Sequence, residues 1–127
     1  RPVIFGPAPQ EILDLMKIGL EARNLIVSNL KAGIEACKID ALYRDFLKKS
    51  NALECMIYGP CHGVGLMEGE HPWIEANSDY FLQENMTFCI DIFLKREDFG
   101  LRWEDVVQIT KDGVEEFCTD FKELIIL

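Results

Sequence analysis

Two stretches of alternating side chains, residues 86–94 and 101–109, leave this chain little freedom in how it folds. Met86, Phe88, Ile90, Ile92 and Leu94 share one face of the first stretch, and Thr87, Cys89, Asp91 and Phe93 share the other. That two-residue period is the signature of a strand. In the second stretch Leu101, Trp103, Asp105, Val107 and Ile109 alternate with Arg102, Glu104, Val106 and Gln108. The intervening Lys95-Arg96-Glu97-Asp98-Phe99-Gly100 is polar enough to be a turn, so the two stretches predict an antiparallel hairpin with an apolar core face. If it closes symmetrically, Leu94 pairs with Leu101, and the same register sets Asp91 directly opposite Glu104.

Opposed side chains on neighbouring strands have Cβ atoms only ~5 Å apart, where like charges repel. A half-buried sheet rarely keeps two facing carboxylates without a cation, a shared proton or a substrate between them. Arg102, diagonal to Asp91, is placed to steady a carboxylate by a charge-assisted hydrogen bond. The plain alternative is that both acids point at solvent, where the pair costs little. A third donor is His62, in the Gly-rich run Tyr58-Gly59-Pro60-Cys61-His62-Gly63-Val64-Gly65, which reads as a loop approaching the sheet closely. One imidazole with carboxylates suits Mn, Fe, Co or Zn. His71, Glu68 and Glu70 lie just beyond, as proton-handling groups or as ordinary loop side chains.

Upstream the period changes. Apolar residues Ile12, Leu15, Met16, Leu20, Leu25, Ile26 and Leu30 predict a helix over 11–31, with Gly33 as its cap. Ile39, Leu42, Tyr43, Phe46 and Leu47 predict a second over 38–49. Residues 2–5 and 124–127 read as short strands, and the polar run after Met67 reads as a linker. The order implies an α+β class, an antiparallel sheet with two helices on one face. At 127 residues this is one domain or part of one.

A net charge of −9 argues against nucleic acid, whose phosphates need concentrated Lys and Arg. No apolar run approaches the ~18 residues of a membrane span. Five cysteines with no CxxC pair point to reduced thiols and a cytoplasmic setting. Cys61 and Cys89 lie beside proposed ligands and either could touch a metal, although free Cys is commonly just a small buried side chain.

Taken together, the segments His62-Gly63-Val64-Gly65, Glu70-His71-Pro72, Asn85-Met86-Thr87-Phe88-Cys89-Ile90-Asp91, Arg102-Trp103-Glu104-Asp105 and Thr110-Lys111-Asp112-Gly113-Val114-Glu115 resemble, in order, the motifs of the pita-bread metallohydrolases. That family includes methionine aminopeptidase, aminopeptidase P, prolidase and creatinase. The resemblance covers nearly the whole chain and is carried by the combination rather than by any single piece. It implies His62, Asp91 and Glu104 as ligands to one or two divalent ions (Mn, Co, Zn or Fe). Arg102 would support them, and Glu70, His71 and Glu68 would be the candidate catalytic groups. Two positions depart from the pattern: Asp91 stands for the usual Glu, and Gly69 stands for the second His, two residues before His71. Arg1 resembles the last residue of the family's Asp-x-Thr-Arg segment, whose neighbourhood supplies two Asp ligands. The resemblance therefore implies that residues 1–127 are the C-terminal half of a catalytic domain, inactive alone, and a fragment of a longer chain.

The leading expectation is a hydrolase like the Xaa-Pro peptidases, acting on a small peptide or amide through metal-activated water. A non-peptidase enzyme on the same scaffold, like creatinase amidinohydrolases or dimethylsulfoniopropionate lyases, is the first alternative. A metal-free peptide-binding module is the second. Neither nucleic acid nor membrane is expected as a partner, and the assembly is left open, a homodimer included.

Overall fold

The computed structural model describes all residues, Arg1–Leu127. Strand β1 (Val3–Ile4) leads into helices α1 (Gln10–Asn29) and α2 (Ala36–Lys49). After a 3-10 turn at Leu53–Cys55 come β2 (Cys61–Gly63), β3 (Glu70–Ile74), β4 (Thr87–Lys95), β5 (Gly100–Ile109), β6 (Val114–Glu116) and β7 (Ile125–Ile126). The five strands β3-β2-β4-β5-β6 form one antiparallel sheet in that order, while β1 and β7 pair in parallel as a separate ribbon. No helix is long and apolar enough to cross a membrane.

The hairpin closes symmetrically. Leu94 pairs with Leu101 and Asp91 with Glu104, without a bulge. Phe88, Ile90, Ile92, Leu94, Trp103, Val107 and Ile109 are all buried on the core face. Against that face α1 packs Leu15, Met16, Ala22 and Ile26, and α2 packs Ile39, Tyr43 and Leu47. The two helices thus cover one side of the sheet, leaving the side with Cys89, Asp91 and Glu104 for other purposes.

Gly19 is what lets α1 lie so close to β5, because a Cβ there would meet Trp103 at 2.8 Å and Leu101 at 2.9 Å. One turn on, Arg23 reaches the only charged residue on the core face of β5: its Nε donates to Asp105 Oδ2 at 2.7 Å, and its guanidinium also pairs with Glu116. Arg1 and Lys122 close around the same carboxylate from the chain's two terminal segments. Arg1 also donates to the backbone carbonyl of Glu104, at 2.7 Å.

The structure departs from the sequence reading in three places. First, α1 ends at Asn29, and Gly33 sits beyond it at φ +82, its N–H bonded to the Leu82 carbonyl rather than capping the helix. Second, His62 lies in the middle of strand β2, not in a loop, with Cys89 on one side and Trp73 on the other. Third, the supposed linker after Met67 contains β3. Its register to β2 shifts between His62 and Gly63, so that Gly63 pairs with Glu70. At Gly63 the two backbones approach so closely that a Cβ would come within 2.8 Å of the carbonyls of Glu70 and His71.

Candidate metal centre

Three strands bring the site together. Strand parity sends Cys89 and Asp91 of β4 and Glu104 of β5 to the side away from the helices, and β2 lays His62 beside Cys89. Ligand atoms of His62, Cys89 and Glu104 all lie within 4.8 Å of one another. His62 Nδ1 sits 3.0 Å from the Gly63 carbonyl, which can only accept, so Nδ1 is the donor there and Nε2 is the nitrogen turned toward the acids. Nε2 faces Asp91 Oδ2 at 3.8 Å, beyond hydrogen-bonding range.

Asp91 is almost fully buried and held on two sides. Arg102 grips it in a fork, Nε to Oδ1 at 2.8 Å and Nη2 to Oδ2 at 2.7 Å, and the Tyr58 hydroxyl donates to Oδ2 at 2.6 Å. Three of the carboxylate's roughly four acceptor positions are thereby occupied. Arg102 Nη2 also lies 3.2 Å from Glu104 Oε1, so one guanidinium separates the two facing acids. The bond to Asp91 holds the Arg102 pKa above its usual value. Burial, then the Asp91 bond, raises that of the Tyr58 phenol, which stays a donor. Burial also pushes the Cys89 thiol up to about 12, with Glu104 and Asp91 adding to the effect.

The strand face opens on a cavity of about 370 Å³ lined by Tyr58, His62, Glu68, Trp73, Glu75, Asp91 and Arg102 among others. Gly69 is also on its wall, 3.7 Å from His62 Nδ1 measured from where a Cβ would stand.

Residues 1–111 match the model of metallopeptidase family M24. The chain belongs to that family. Among curated M24 relatives, the Xaa-Pro dipeptidase of Lactobacillus helveticus is 31% identical over 128 residues, covering all of this chain and 35% of its own length. The Xaa-Pro dipeptidase of Pyrococcus furiosus is 29% identical over 98% of this chain and 36% of its own. Among solved structures, the Xaa-Pro dipeptidase from Bacillus anthracis superposes with a TM-score of 0.94 at 30% identity, covering all of this chain and 36% of that one. The X-Pro aminopeptidase from Thermotoga maritima MSB8 gives 0.91 at 28%, covering 98% of this chain and 35% of that one. The chain therefore has the α+β pita-bread fold of these M24 peptidases and spans about a third of their length.

Within this M24 chain the expected site residues divide into two groups. His62, Asp91, Arg102 and Glu68 line the cavity, and Glu104 stands beside Arg102 at its margin. Glu70 does not line it: the carboxylate turns back to accept the Met67 N–H at 3.0 Å and so braces the loop. His71 does not line it either, being exposed with its ring edge-on to Trp73, centroids 6.0 Å apart. The shifted register at Gly63 separates these two from the sheet's inner row. Tyr58, Trp73 and Glu75 belong to the site and were not anticipated. No local sequence pattern marks Tyr58: it reaches the site because the segment before β2 continues along β4 through the Asp91 N–H to Pro60 carbonyl bond.

The donor set fits a divalent cation. An imidazole lone pair, a carboxylate and a thiol converge on one face of a sheet, next to a cavity able to admit a substrate.

Proposed function

We propose that the full-length protein is a metal-dependent hydrolase of peptide or amide bonds, and that residues 1–127 form the C-terminal half of its catalytic domain. The observation that carries this reading is the convergence of His62 and Glu104 beside a substrate-sized cavity in an M24 chain. A bound divalent ion (Mn, Co, Zn or Fe) would supply Lewis acidity toward a carbonyl group and toward water.

The chain's own residues set up the rest. His62 is kept in one tautomer by the Gly63 carbonyl, leaving Nε2 to ligate. Glu104 is the second ligand in this half. Asp91, expected as a ligand, acts here through Arg102 and Tyr58, whose positions it fixes. Glu68 is the carboxylate on the cavity wall available to take a proton from water or substrate. Trp73 and Tyr58 supply aromatic wall to the cavity.

Assay of the full-length protein with Xaa-Pro dipeptides tests the reading. Hydrolysis should be abolished by chelation and restored by Mn2+, Co2+ or Zn2+. Absence of turnover across a broad dipeptide panel with each metal would overturn it.

One observation favours a second reading, a non-peptidase enzyme of the creatinase or sulfonium-lyase kind. The cavity presents Glu68 and Glu75, while its one guanidinium is committed to Asp91 and Glu104. Gly69 leaves its part of the wall without a side chain. A dipeptide brings a carboxylate that these walls do not neutralise, whereas a small organic cation suits acids and aromatic faces. Amidines and sulfonium compounds in the same panel decide between the two.

A further inference from the structure

We propose that Cys89 is a metal ligand, completing with His62 and Glu104 a nitrogen, sulfur and oxygen donor set. The inference rests on the metal dependence read above and says which atoms carry it. Cys89 is paired directly with His62 across β2 and β4, and with Val106 across β5. Its side chain therefore emerges beside the imidazole and diagonal to Glu104, the partner of Asp91, and the three ligand atoms fall within 4.8 Å of one another.

Two further observations point the same way. The position expected to ligate, Asp91, already has Oδ2 taken by both Arg102 and Tyr58 and Oδ1 taken by Arg102. An ion there would displace charge-assisted bonds of the strong, bidentate kind. His62, by contrast, has an imidazole with 8% side-chain exposure that lines the cavity, and no hydrogen bond is made by its Nε2. Cys89 is equally enclosed, at 6% exposure; it donates a long contact of 3.8 Å to the Ile90 carbonyl and lies within reach of the Asp105 backbone N–H. A buried thiol with weak contacts only and a buried imidazole nitrogen without a hydrogen bond thus stand side by side, next to a carboxylate.

Ligation is balanced by proton release: the Cys89 S–H bond breaks, a sulfur–metal bond forms, and one proton leaves to solvent for each ion bound. A thiolate in the set favours the softer ions Zn2+, Co2+ and Fe2+ over Mn2+ and Mg2+.

The test uses the full-length protein loaded with Zn2+ or Co2+. X-ray absorption at the zinc edge should show one sulfur neighbour at about 2.3 Å among the nitrogen and oxygen scatterers at about 2.0–2.2 Å. The Co2+ form should show a near-ultraviolet sulfur-to-cobalt band that Cys89→Ser removes and Cys61→Ser keeps. Cys89→Ser should also weaken Zn2+ binding at least ~10-fold, the scale on which metal sites respond to lost partners. Stoichiometric metal with nitrogen and oxygen neighbours only would overturn the role of Cys89 and leave metal dependence standing. No stoichiometric uptake of any divalent ion would overturn both. The scattering measurement needs no variant, so it decides even if Cys89→Ser does not fold.

Discussion

Arg102 holds Asp91 through two parallel hydrogen bonds, at 2.8 and 2.7 Å, from the adjoining strand. The fork is diagonal: Arg102 pairs in register with Phe93, and Asp91 with Glu104. A single guanidinium therefore reaches both acids of the facing pair. It is 42% exposed on the side chain, so its place is set by geometry more than by burial.

Replacing Arg102 by Lys keeps a charge but loses the fork. Arg102→Lys in the full-length protein should lower the melting temperature modestly, because buried Asp91 loses one bond of the fork, and weaken metal binding about 10- to 100-fold, the range for groups that orient ligands. Metal titration beside thermal denaturation measures both, and an unchanged affinity would count against the role given to Arg102.

The contact between Gly19 and Trp103 sets the spacing of α1 over β5. Gly19→Val should overpack that seam and cost about 1–3 kcal/mol, beyond any gain from removing a helical glycine. Urea unfolding reads the difference. A neutral or stabilising result would mean that the helix can move away freely.

Asp105 is buried among cations, with 2% side-chain exposure facing Arg23 at 5%. Asp105→Ala leaves the Arg23 guanidinium without its main partner, and breaking a buried pair from one side typically costs 3–5 kcal/mol. Because Glu116 still pairs with Arg23, the lower end, about 3 kcal/mol, is expected. Chemical denaturation provides the number.

Alkali should destabilise the domain. Burial raises the pKa of the Cys55 thiol from 9.0 and of the Tyr43 and Tyr80 phenols from 10.0. For acids raised in the folded state, the unfolded chain loses its protons first and binds fewer of them, so stability falls as pH rises. The contribution is intact below about pH 8 and declines from about pH 9 upward, as the unfolded groups begin to ionise. Denaturation midpoints measured from pH 7 to 11 should be flat and then fall. A rising midpoint would contradict the sign.

The β4–β5 hairpin was legible because its loop is symmetric and its two faces differ sharply in polarity, which fixes both register and orientation. That alone located Asp91, Glu104 and Arg102 relative to one another. The placement of His62 was half legible: its proximity to the acids follows from their charge, but the glycines around it suggested a loop. They instead allow β2 and β3 to lie unusually close at Gly63. Strand β3 was hidden because Glu70-His71-Pro72 carries no alternation and contains a proline. With that strand went the means to see that Glu70 and His71 turn away from the cavity. The ion cluster around Asp105 joins positions 1, 23, 116 and 122, and no local pattern announces contacts so far apart in sequence. The face containing Cys89 was legible from parity, but its chemistry depends on His62 being its cross-strand neighbour.

Behind the Glu104 side chain stands Arg1, whose guanidinium bonds to the Glu104 carbonyl, the Asp105 carboxylate and the Phe121 carbonyl. The peptide unit that aims Glu104 toward the cavity is thus braced from the opposite side of the sheet by the first residue and by the tail near Phe121. It works as a strut does under a beam. Whatever positions Arg1 therefore also bears on the peptide unit from which the Glu104 side chain projects.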